Sequence, residues 1–118
     1  MASGKIIGVG GTVIGTKNSV SCPNNGTNTE IGTITLSKGT WMVIVTGWSP
    51  FDETTQSATQ IELSYTSVAS VTLSRLFNLV GLFTIVNYTD TVHLNVVNWE
   101  SSSKIAGTNY DFRAVKIA

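Results

Sequence analysis

A single histidine, a single cysteine and seven carboxylates are the main acid–base and nucleophilic resources of this 118-residue chain. His93 stands in "TVHLNVV", where it alternates with Val92, Leu94 and Val96 and so faces away from them. A zinc site needs several His, Cys or carboxylate ligands at recurring spacing, and none recur here. His93 therefore reads as a hydrogen-bonding residue on a sheet face. Cys22 lies in "SCPNNGTN", which reads as an exposed loop, with no histidine or asparagine arrangement to activate it. As the only cysteine it forms no intrachain disulfide, and it reads as the free thiol of a protein made in a reducing cytosol.

The carboxylates are Glu30, Asp52, Glu53, Glu62, Asp90, Glu100 and Asp111. Asp52 and Glu53 adjoin in a loop and are the one pair to weigh for glycoside hydrolysis. Asp90, in "NYTDTV", has the features of a turn-forming aspartate. No Gly-x-Ser-x-Gly elbow occurs. "GVGG" at 8–11 fails the dinucleotide pattern, because its third glycine would stand where Val13 is and no helix pattern follows. Those glycines suit a bulge or close strand packing. The expectation is a non-enzymatic protein with no cofactor and no metal.

Composition narrows the partners. Charged residues make up 12% of the chain, against about 25% in an ordinary soluble domain. Seven basic and seven acidic residues cancel. Lys5, Lys17, Lys38, Arg75, Lys104, Arg113 and Lys116 are scattered rather than clustered, so no nucleic-acid partner is expected. No run reaches the roughly 18 apolar residues of a membrane span, and the first fifteen residues lack signal-peptide features. A strand-rich chain with so little charge invites edge-to-edge association, which a closed oligomer would prevent.

Residues 1–118 are expected to form one domain. Short β-branched and aromatic runs, separated by Gly, Asn, Asp and Ser, predict strands near 5–14, 30–36, 41–47, 60–66, 70–76, 82–88, 91–98 and 109–117. "ITLSKGTWMVIVTGW", residues 34–48, is expected to be a hairpin turning at Lys38-Gly39-Thr40. "SRLFNLVGLF", 74–83, is the one run ambiguous between helix and strand. "WMVIVTG" and "RAVKIA" are apolar on both strand faces, whereas an antiparallel sandwich normally leaves one face to water. Such strands call for cover on both sides, and a subunit interface supplies it. Short strands at this spacing indicate an all-β sandwich or barrel.

The remaining signal is aromatic. Trp48, Phe51, Phe77 and Trp99 fall at strand ends or in loops, where rings with polar neighbours serve as recognition anchors or as caps on the core. Alternating strand direction puts the connections 15–29, 48–59, 77–81 and 99–108 at one pole. These four aromatics then gather beside Asn25, with both termini at the other pole. That is the layout of a head on a stalk.

The order of elements resembles the C1q/TNF-type jelly roll, in particular the C-terminal head domains of bacteriophage tail-fibre and other receptor-binding proteins. "IGTITLSKGTWMVIVTGW" resembles that family's hydrophobic hairpin, with Lys38-Gly39-Thr40 and Trp41 at the matching positions. "LFTIVNYTDTVHLNVVNW" resembles a later hairpin, matched at Asp90 and Val92, and "YDFRAVKIA" is similar to the closing strand. The similarity spans roughly residues 30–118. The chain departs from animal members in having no collagen-like stalk, disulfide or secretory signal.

The resemblance implies an antiparallel jelly-roll β-sandwich, a homotrimer about a threefold axis, and a host-surface glycan or protein bound by loops or inter-subunit grooves. It implies location on a virion or outside the cell after cytoplasmic assembly. The candidate ligand-binding residues are Trp48, Phe51, Phe77, Trp99 and Asn25. Two alternatives stand beside this reading: an assembly, trimerisation or capsid-decoration domain without ligand, and a carbohydrate-active enzyme using Asp52 and Glu53.

Overall fold

The structure, a computed structural model, describes residues 7–24, 26–47, 49–51, 59–65, 68–72, 77–99 and 102–118. Among these residues there is no helix. The strands are β1 (Thr12–Ile14), β2 (Thr16–Lys17), β3 (Ser21–Cys22), β4 (Asn28–Gly47), β5 (Thr59–Tyr65), β6 (Val68–Thr72), β7 (Phe77–Asn98), β8 (Lys104–Ile105) and β9 (Asp111–Lys116). All pairings are antiparallel. The main sheet runs β1-β9-β4-β7-β5-β6, with β2 also on β4, and β3 pairs with β8 separately. The run 77–83 is strand, which settles the described part of the ambiguous segment. Residues 73–76 lie outside the described residues.

Two expectations are corrected. No hairpin turn interrupts 34–48, because β4 continues through it for 20 residues. Nor does a hairpin turn interrupt the chain at Asp90, since β7 runs on for 22 residues. Residues 7–11 also precede the first strand rather than forming part of it.

The two long strands pair along their whole length, from Asn28↔Val97 to Gly47↔Phe77. At about 3.3 Å per residue a straight 20-residue strand spans roughly 66 Å, yet the longest dimension of the molecule is 44 Å. The ribbon must bend. Its register breaks where Ser37 pairs with Thr89 and Gly39 with Ile85, so that Val86, Asn87 and Tyr88 stand opposite Lys38 alone. Gly39 has φ of 140°, and a Cβ there would lie 2.9 Å from the Ala118 carbonyl oxygen. Only glycine suits that position. The sequence cue at 38–40 was therefore real, but it marks a bend that carries both strands from one layer to the other.

Contacts across the interior show the halves facing each other. Tyr65 and Phe83 meet edge-to-face at 6.4 Å. A Cβ on Gly32 would come within 3.2 Å of the Phe112 ring. One layer comprises 28–37, 89–98, β5, β6 and β2; the other comprises 39–47, 77–85, β9 and β1. The all-β, antiparallel fold is compatible with a β-sandwich.

Ile34, Leu36, Ile61, Leu63, Val92, Leu94 and Val96 from one layer are buried with Trp41, Val43, Val45, Phe83, Ile85, Phe112 and Ala114 from the other. These are the alternating inward positions of each strand. Trp41 sits at the bend with no exposed surface, its indole Nε1–H donating to the Ser37 carbonyl at 2.8 Å across the bulge.

Candidate functional site

The end of the molecule away from the bend gathers the strand ends. Gly47 pairs with Phe77 there, Asn28 with Val97, Thr59 with Asn98, and Thr46 with Asp111. The connecting segments are knitted together beneath it. β3 pairs with β8, Phe51 bridges to Ala106, Ala106 N–H donates to Val20 and Gly107 N–H to Pro50. Ile7 and Ala118 lie at the opposite pole, where Thr40 N–H donates to the Ala118 carbonyl and Lys116 Nζ to that of Ile7. The bend reverses chain direction as a hairpin turn would, whereas the connection expected at 77–81 is strand and belongs to β7.

The sequence-expected residues separate into distinct environments. Phe51 is only 6% exposed and belongs to the core, so its ring seals this end rather than facing solvent. Trp99 is 54% exposed. Phe77 is placed by its backbone, opposite Gly47. Trp48 and Asn25 lie outside the described residues, as do Asp52 and Glu53.

Two residues that sequence reasoning passed over position Trp99. Asn98 is completely buried, and its Nδ2 donates to the Cys22 carbonyl at 3.0 Å and to that of Ser102 at 3.1 Å. A buried amide with both hydrogens used fixes the backbone that presents the next residue. Gly26, with φ of +82°, lies so close under the indole that a Cβ would be 2.5 Å from Cη2. Nothing in the sequence paired position 26 with position 99.

The titratable groups have structural partners. Burial pushes the Cys22 thiol up, which makes it a poor nucleophile. Asp90 accepts from the Thr91 backbone N–H at 2.8 Å and from Asn87 Nδ2 at 3.0 Å, which holds its carboxyl below the usual range. It stabilises the bulged side of the bend. His93 Nδ1 meets Glu30 Oε1 across the sheet, as befits a polar residue on an outer face. Among the described residues no group of three or more His, Cys, Asp or Glu side chains could hold a metal ion.

The two outer faces contrast. On the first layer the cross-strand rows read Glu30–Asn95–Glu62 and Thr33–His93–Ser64, with Thr35 beside Thr91. Asn95 Nδ2 donates to Glu62 at 3.2 Å and to Ser64 at 3.1 Å. On the second layer they read Thr12–Val115–Met42–Leu82 and Ile14–Arg113–Ile44–Val80. Leu82 is 66% exposed and Val80 55%. Arg113 is neutralised in place, with Nε 2.7 Å from Asp111 Oδ2 and a second bond of 2.9 Å to Oδ1. Val80 and Leu82 lie in the one run, 74–83, whose strand character the sequence left ambiguous, and their outward placement was not read from it.

Comparison with known proteins gives no match to a family model, to a curated protein or to a solved structure.

Proposed function

We propose that the chain is a C1q/TNF-like jelly-roll head that assembles as a homotrimer and serves as a non-enzymatic receptor-binding domain of a phage or virion fibre. The observation that carries this reading is the apolar outer face of the second layer. Ile14, Met42, Ile44, Val80, Leu82 and Val115 form a contiguous patch across four strands. Monomeric proteins rarely leave such a patch to water.

A second copy of the chain is the occupant that fits. The face carries one cation, already paired with Asp111, so it presents no net charge for a complementary partner to read. The chain as a whole is neutral. Like faces therefore meet without repulsion, and the gain is the apolar area removed from water.

The jelly-roll reading draws on strand order. Divided at the bend, β4 and β7 each give one strand to each layer, so the layers read 12–14, 111–116, 39–47, 77–85 and 28–37, 89–98, 59–65, 68–72. Eight strands crossing between two sheets in this alternation suit a double-sheet jelly roll. Threefold symmetry comes from the family resemblance.

Sedimentation velocity at micromolar concentration, together with a Leu82→Asp variant, tests the assembly. Wild type is expected to sediment as a trimer and Leu82→Asp as a folded monomer. Loss of three half-exposed leucines from an interface, at about 1–2 kcal/mol each, weakens association by a factor on the order of 10² to 10⁴. Wild type that sediments as a monomer removes the reading. Saturable binding to intact bacterial cells separates a receptor-binding head from an assembly or decoration domain without ligand.

A further inference from the structure

We propose that the Trp99 indole is a stacking platform for an uncharged saccharide. This rests on the receptor-binding reading and names the ligand class of the same pole. The first argument is rigidity. Trp99 follows directly on the fully buried Asn98, whose two amide bonds close the turn from 98 to 102. Its six-membered ring rests against Gly26, where any side chain would collide with it. The ring is thus held from its own backbone and from a second segment, while 54% of the residue remains in water. Core packing has no use for an aromatic in that state. A recognition platform does, because its ordering cost is already met before the ligand arrives.

The second argument is the chemistry around it. The exposed neighbours on both segments, Asn24, Thr27, Ser102 and Ser103, are uncharged hydrogen-bonding residues. Among the described residues of 23–28 and 98–103 no side chain is charged. The ionisable neighbours in sequence are Glu100, outside the described residues, and Lys104, which stands in β8 opposite Cys22. An indole face beside amides and hydroxyls matches the two surfaces of a pyranose ring, its apolar C–H face and its hydroxyl rim. An anionic sugar would need a cation beside the ring, and the described residues of these two segments carry none, while Glu62 accepts from Asn28 Nδ2 at 3.4 Å. A protein epitope would require a wider apolar surround to exclude water from the ring, and Phe51 and Tyr110, described aromatic side chains at this end, are both buried.

The test is a printed array of neutral oligosaccharides read with wild type, Trp99→Ala and Gly26→Ala, alongside binding to intact bacterial cells. Gly26→Ala keeps the indole but displaces it from its seat. Both variants are expected to retain the oligomeric state and to melt within a few degrees of wild type. Both are expected to lose at least tenfold in array and cell binding, and periodate treatment of the cells should abolish wild-type binding. Cell binding that survives periodate and Trp99→Ala overturns the saccharide platform and leaves the head reading standing, with a protein receptor. No binding to any cell or glycan by the wild type removes both.

Discussion

Replacing Trp41 by alanine empties the corner on which the fold turns. The side chain has no exposed surface and lies at the bend that carries β4 and β7 from one layer to the other. Its backbone pairs with Phe83 on one side and Lys116 on the other, so its Cα cannot shift without disturbing both neighbours. Truncating a buried tryptophan costs about 3–5 kcal/mol in lost burial and residual cavity. Part of that is the bond to the Ser37 carbonyl, worth about 1 kcal/mol net, and more if the carbonyl is left dry. Trp41→Phe isolates this part, because it keeps most of the apolar volume and removes the donor. It should cost about 1–3 kcal/mol.

A domain of this size loses about 4 °C of Tm per kcal/mol. The expected falls are therefore about 12–20 °C for alanine and about 4–12 °C for phenylalanine. Thermal melting by circular dichroism, at one protein concentration so that assembly contributes equally, is the assay, and urea midpoints give the free energies. A loss under about 1 kcal/mol for Trp41→Ala would refute the account of the bend, since the corner would then hold without its filler.

Two further outcomes follow from side chains already placed. Tyr110 is buried, and its hydroxyl donates to the Ile31 carbonyl at 3.4 Å, so burial pushes its pKa well above the ordinary value. The folded state keeps the proton that the unfolded chain loses near pH 10. Stability is thus full below pH 10 and falls above it, and the urea midpoint should decline between pH 10 and about 11.5 in wild type but less steeply in Tyr110→Phe. Asp111→Asn leaves Arg113 without its carboxylate between Ile14 and Ile44. An unpaired charge on a covered face should weaken self-association at least tenfold by sedimentation equilibrium, while the solvent-screened pair contributes little to subunit stability. Unchanged association would place Arg113 outside any covered surface.

Much of the core was legible in strand alternation. Ile34 with Leu36, Ile61 with Leu63, and Val92 with Leu94 and Val96 are buried as their period of two requires. The connection between halves was not legible, because Ser-Lys-Gly-Thr serves a tight turn and a bulged bend equally well. What decides between them is non-local: the C-terminal segment pairs with Thr40, and Trp41 reaches back to Ser37. The candidate site divided along the same line. An exposed Trp99 and a buried Phe51 look alike as loop aromatics, and only the bridge from Phe51 to Ala106 draws one of them inward.

The outer faces supply the strongest physical argument for a partner. The same two strands build both layers, so local strand propensity does not distinguish their outward positions. Before the bend β4 turns Thr33 and Thr35 outward, and β7 answers with His93 and Asn95; beyond it Met42 and Ile44 face outward against Leu82 and Val80, flanked by the polar pairs Thr40–Thr84 and Thr46–Asn78. A lone sandwich gains nothing from this switch, since both outer faces would meet the same water. Two strands changing their outward chemistry together, at the point where they change layer, are what the proposed assembly requires of layers that face different surroundings. An assembly that covers the second layer and leaves the first in solvent accounts for that switch with no further assumption about the ligand.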